Sequence, residues 1–186
     1  MKCITVQNIN VLQKILKNSV YYLFDERYFV GRNRKDAYEF MKKEYRYANY
    51  PIFLSPVGFK VEMCGADFSD SSVAIEFDIP DNMVHMQRYY DWSDFLYYSN
   101  SPKEFQRVFY GYDDVYQFGK HVLTETDNND LDQKEVYQAT VCCLKKEWIT
   151  DVTSDLRLLE KKHFGSGGNN ILKELRYYKE QWWLWQ

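Results

Sequence analysis

The chain has 186 residues, enough for one domain or for one domain with a small appendage. Hydrophobic residues make up 45% and aromatic ones 18%, with 17 Tyr, 12 Phe and 5 Trp, so the chain can fill a core and still present a Tyr-rich face. A net charge of -3 and a pI of about 5.7 exclude a generically basic nucleic-acid binder, and they fall short of the acidity of a nucleic-acid mimic.

In chain order, Lys2 to Val6 reads as a strand, and Asn8 or Asn10 caps a helix to about Lys17 with Ile9, Leu12, Ile15 and Leu16 at helical spacing. Tyr21 to Val30 is aromatic and extended. Asp36 caps a second helix to about Tyr47, with Ala37, Phe40, Met41, Glu44 and Tyr45 on one stripe. Pro51 opens an extended region with strands expected at Ile52 to Leu54 and Val57 to Met63. From Ser72 to Ile79, Val73, Ile75, Phe77 and Ile79 alternate with Ala74, Glu76 and Asp78, the period of a half-buried strand. Pro80-Asp81-Asn82 turns the chain, and Asp91 caps a short helix carrying Trp92, Phe95 and Leu96.

Ser101-Pro102-Lys103-Glu104 has the form of a capping box, for a helix to about Tyr110 with Gly111 just beyond it. Asp113 to Asp132 reads as a polar, acidic stretch. The loop Asp127 to Glu135 lacks the ordered ligand spacing of a calcium loop. Gln133 to about Val152 reads as a long helix with Tyr137, Val141, Leu144, Trp148 and Val152 on one face. Gly165-Ser166-Gly167-Gly168 is a break before a final helix, Asn170 to Trp185, whose Trp182, Trp183 and Trp185 either latch the core or anchor a partner.

The four cysteines, Cys3, Cys64, Cys142 and Cys143, show no Cys-x-x-Cys spacing; small buried hydrophobes are expected, with no metal and no cofactor. No secretory signal is read at the N-terminus, and no apolar run approaches the ~20 residues needed to span a bilayer. A cytoplasmic location without membrane contact follows as the expectation.

Several pieces resemble, in order, one bacterial family, the domain-of-unknown-function 3841 family. They are Thr5-Val6-Gln7, Tyr50-Pro51-Ile52-Phe53, Ile75-Glu76-Phe77-Asp78-Ile79-Pro80-Asp81 with Val84 and Asp91-Trp92, and Gln138-Ala139-Thr140 with Leu144 and Glu147-Trp148-Ile149. The resemblance spans roughly residues 1–152. It departs at Val84-His85-Met86-Gln87-Arg88, where the family continues Val-Leu-Leu-Ser-Asp, and the tail from Asp155 is additional. It implies a bacterial or mobile-element protein and carries no catalytic assignment.

Three constellations bear on function. Arg27, Arg32, Arg34, Lys35, Lys42, Lys43 and Arg46, interleaved with Tyr38, Tyr45, Tyr47 and Tyr50, have the chemistry to hold phosphates and stack bases; a solvated helix face is the competing reading. A first strand ending in Gln7, followed by a helix and a late Gln138-Ala139, is similar to ADP-ribosyltransferases that modify DNA. There Gln7 replaces the usual His or Arg, Thr140 stands where a catalytic Glu is wanted, and Glu135 and Glu147 are out of register. His85, His121 and His163 are the only histidines, and His121 beside Lys120 is the best placed for metal-free cleavage of RNA.

The expectation is therefore an α+β protein: a mixed sheet of about four to six strands flanked by helices over residues 1–152, with a helical C-terminal extension over 153–186. Its expected role is a small effector that binds RNA or a nucleoprotein partner through the 27–50 surface, such as an inhibitor of host machinery. The alternatives are an ADP-ribosyltransferase-like or ribonucleolytic enzyme using Gln7, His121 or Glu147, and a protein-interaction module.

Overall fold

The computed structural model describes residues 1–24, 35–59, 71–109, 111–124, 126, 130–132 and 134–154. Its elements are β1 (Lys2–Asn8), α1 (Ile9–Asn18), β2 (Val20–Tyr21), α2 (Lys35–Glu44), β3 (Ile52–Pro56), β4 (Ser72–Asp78), β5 (His85–Arg88), α3 (Tyr89–Tyr98), α4 (Pro102–Val108), α5 (Val115–Thr124), β6 (Tyr137–Val141), β7 (Leu144–Lys145) and β8 (Ile149–Thr153). Single turns of 3-10 helix at Asp81–Met83 and Lys146–Trp148 precede β5 and β8.

Six strands form one sheet in the order β5-β6-β3-β1-β4-β8, and β2 pairs with β7 separately. The fold is α+β, as expected. Every described pairing is antiparallel, so the sheet is not mixed.

Local chemistry explains the first elements. Ile4, Thr5 and Val6 are β-branched and suit a pleated strand. The Asn8 side chain then accepts a 2.9 Å bond from the Asn10 amide and starts α1. Ser19, at φ 64°, takes the left-handed turn that ends it.

The register sorts side chains onto two faces. Directly opposed residues of an antiparallel pair share a face, and neighbours along a strand alternate. Cys3 opposes Pro56 and Phe77, Thr5 opposes Ile75, and Gln7 opposes Val73. Leu54 lies on the same side as Pro56 and opposes Ala139, which opposes Met86. This first face packs against Val11, Leu12 and Ile15 of α1 in a mainly aliphatic core. The second face carries Phe53, His85, Gln87, Gln138 and Thr140. There α2, α3, α4 and α5 pack around Trp92, Phe95, Phe105 and Phe118.

Several expectations are corrected. The long helix over 133–152 is instead β6, β7, a 3-10 turn and β8. Thr140, Val141, Ile149, Thr150, Val152 and Thr153 are β-branched, and three short strands separated by turns mimicked a helical period. The acidic stretch contains α5: Asp114 accepts from the amides of Tyr116 (2.8 Å) and Gln117 (2.9 Å), and Val115, Phe118 and Val122 are buried.

At Ser101 the helix starts as predicted, but through the backbone. Its carbonyl accepts from Glu104 and Phe105, and its side chain makes no cap bond. Asp36 and Asp91 sit inside their first helical turns rather than ahead of them. The strand Ser72–Asp78 is covered on both faces, because Ala74 and Glu76 are buried as well. Residues 57–59 form a turn, not a strand.

Cys3 and Cys143 are buried and Cys142 is half-buried; burial pushes the Cys3 thiol up to about 12. Cys64, the extended reading of 25–30 and 60–63, and the C-terminal helix with its Trp cluster lie outside the described residues. No described helix is long and apolar enough to cross a membrane.

Candidate functional site

The residues nominated from sequence fall in separate places. Gln7 belongs to the first face of the sheet, where its side-chain amide donates to the Thr5 hydroxyl at 2.9 Å. Gln138 belongs to the second face. The two are therefore on opposite sides, and the sheet does not offer them to one NAD molecule. His121 is on α5, on the second side, with its ring 5.5 Å from that of Tyr112. Glu147 is exposed in the 3-10 turn before β8 and pairs with Lys145 at 3.7 Å.

The basic surface is partly described. Arg27, Arg32 and Arg34 lie outside the described residues. Lys35, Lys43 and Arg46 are exposed, with Arg46 at φ 55° just past the end of α2. Lys42 is engaged: it pairs with Glu39 at 3.8 Å and sits 4.9 Å above the Tyr50 ring, whose hydroxyl donates to Glu39. The interleaved tyrosines turn inward. The Tyr38 ring stands edge-on to Phe53 and Trp92. The Tyr45 ring stacks on His85 at 4.0 Å and 11°.

That stack belongs to a buried polar cluster. The Gln87 side-chain nitrogen lies 2.8 Å from the Tyr45 hydroxyl, 2.9 Å from the His85 carbonyl and 3.0 Å from the Thr140 hydroxyl. Tyr45 donates onward to the Leu123 carbonyl at 3.0 Å, and Tyr47 donates to the Thr140 carbonyl at 3.1 Å. Burial pushes both tyrosine hydroxyls up, so they remain protonated donors. Burial lowers the affinity of His85 for its proton and favours the neutral ring. The network ties α2 and α5 to β5 and β6. It therefore fixes the strand from which α3 departs, where Tyr89 adds a backbone bond to Val136 at 2.9 Å.

What this scaffold holds out is α3. Its inner face buries Trp92 and Phe95, and Phe95 packs so closely on Gly119 of α5 that an added Cβ would collide with the ring. Its outer face carries Tyr90, Asp94 and Tyr97, with Tyr90 56% and Tyr97 61% exposed. Each outer tyrosine is braced edge-on by its neighbour, Tyr90 by Tyr89 at 5.4 Å and Tyr97 by Tyr98 at 4.9 Å. Tyr98 packs in turn on Phe105 and Phe109. Asp94 has its carboxyl pushed up by partial burial and by the charge of Asp91.

Sequence reasoning passed over Tyr90, Tyr97 and Gln87 as site residues, and it named His85 only within the histidine set, where His121 was preferred. The available signal was Tyr-Tyr-Asp-Trp-Ser-Asp-Phe-Leu-Tyr-Tyr itself, a helix with aromatics on every side and no basic residue.

The fold and this surface define an α+β scaffold that displays an aromatic, acidic helix. Comparison with protein families, with curated proteins and with solved structures finds no match to the chain.

Proposed function

We propose that the protein is a protein-interaction module that docks a partner protein on the outer face of α3. The observation that carries this reading is the all-round aromatic character of that helix. A surface helix ordinarily turns mainly charged side chains to water, whereas the outer face of α3 sets two exposed Tyr rings beside its carboxylates. Exposed, braced Tyr side chains offer large contact area at small conformational cost, which is why Tyr anchors interfaces. As a small effector, such as an inhibitor of host machinery, the protein needs such a surface and no catalytic group.

A photo-crosslinking side chain placed at Tyr97, and separately at Lys43 on α2, tests this in a bacterial cytoplasm. A single defined protein adduct from position 97, and none from position 43, supports the reading. Adducts confined to position 43, or adducts to nucleic acid, overturn it.

A second reading keeps RNA as the ligand of the basic segment, supported by the exposure of Lys35, Lys43 and Arg46. It requires single-stranded RNA affinity that falls steeply with salt and drops when Lys43 and Arg46 are replaced by Ala. Salt-insensitive or absent binding removes it.

A further inference from the structure

We infer that the partner segment read by α3 presents arginine side chains; the inference rests on the docking reading above and adds its chemistry. The outer face alternates ring and carboxylate along one line: Tyr90, Asp94, Tyr97, with Asp91 beside Tyr90. The line continues onto α4, where the Tyr97 hydroxyl lies 3.4 Å from a Glu104 carboxylate oxygen. The helix carries no Lys or Arg of its own.

Partial burial, and after it the charge of Asp91, oppose ionisation of the Asp94 carboxyl on this exposed line. A cation delivered by a partner offsets that cost at Asp94 by favouring its charged form. Arginine suits the place better than lysine, because its planar guanidinium stacks on a tyrosine ring and grips a carboxylate through two parallel hydrogen bonds. The bracing of Tyr90 by Tyr89 and of Tyr97 by Tyr98 holds the rings ready for such stacking.

Charge also selects among occupants. A nucleic acid would bring phosphates against Asp91, Asp94 and Glu104. A second copy, docked α3 to α3 about a two-fold axis, would bring the same carboxylates together.

The test uses the full chain and a fluorescein-labelled hexa-arginine peptide, with hexa-lysine and a six-nucleotide RNA as matched probes, read by anisotropy. The arginine peptide should bind more tightly than the lysine peptide, and the RNA should not bind through α3. Tyr90→Ala/Tyr97→Ala and Asp94→Asn should each weaken arginine-peptide binding by about tenfold, a size typical of a central interface contact. Thermal unfolding of each variant within a few degrees of the parent shows that the fold is kept.

Equal affinity for both peptides, or affinity untouched by these substitutions, overturns the arginine chemistry. If the position-97 crosslink survives that result, the docking face stands without it; if the crosslink is lost as well, both fall.

Discussion

The two sides of the sheet are built from different chemistry. The first is mainly aliphatic: Val11, Leu12 and Ile15 of α1 share one core with Leu54, Val73, Ile75 and Met86, which Phe77, Tyr137 and Trp148 complete. The second is aromatic and polar. Rings from four helices close over Phe53, and a hydrogen-bonded strip of Gln87, Thr140, Tyr45 and Tyr47 runs beneath them. An aliphatic layer seals by shape and area alone. An aromatic layer over a polar strip adds direction, because hydrogen bonds and ring edges hold each helix in one orientation. The second side is therefore the one that orients its helices, which is what the proposed docking face on α3 requires.

The comparison can be broken by truncating each side. Trp92→Ala removes the largest inward side chain of α3 and should cost about 3–5 kcal/mol in urea unfolding, with loss of the position-97 crosslink. Ile75→Ala, on the aliphatic side, should cost about 2–5 kcal/mol yet keep the crosslink wherever the protein remains folded. If both variants lose the crosslink while folded, the two sides do not differ in the way described.

Gly119→Ala places a methyl against the buried Phe95 ring. It should destabilise by about 1–3 kcal/mol and shift the α3 resonances in a heteronuclear NMR spectrum. Gln87→Leu strips donors from the Tyr45 and Thr140 hydroxyls. It should cost about 1–3 kcal/mol, with Tyr45→Phe in the same background costing less than it does alone, since the two share one network.

The smallest expected effect is on pH dependence. Folded His85 binds its proton less readily than an unfolded histidine, whose ordinary value is 6.5. Protons then favour the unfolded chain, so this group's contribution is fully present above pH 6.5 and is lost as pH falls through the lowered folded value. His85→Phe keeps the stack on Tyr45 and should flatten that part of the stability–pH curve; an unchanged curve would remove His85 from the account.

The sequence made the first half of the chain readable. β1, α1, α2, β3 and β4 follow from β-branched runs, an Asn cap and period-two alternation, each a local signal. The second half was harder because its signals conflict. Tyr137 to Val152 spaces its large residues like a helix, while its β-branched residues favour strands, and the pairings with β3 and β4 decided the matter. Helix α5 was obscured by its acidic surroundings. The proposed docking face was legible only as a composition, four tyrosines in a ten-residue helix. Which of them face outward depends on α3 packing Trp92 against Tyr38 and Phe53 and Phe95 against α5, a tertiary fact that no local pattern carries.

The most direct test of the central claim is an amide-resolved NMR titration of the full chain with the hexa-arginine peptide. The account predicts shifts concentrated at Tyr90 to Tyr97 and at Glu104. Shifts centred instead on Asp113, Asp114, Asp130 and Asp132, with α3 unmoved, would show simple acid attraction and contradict it.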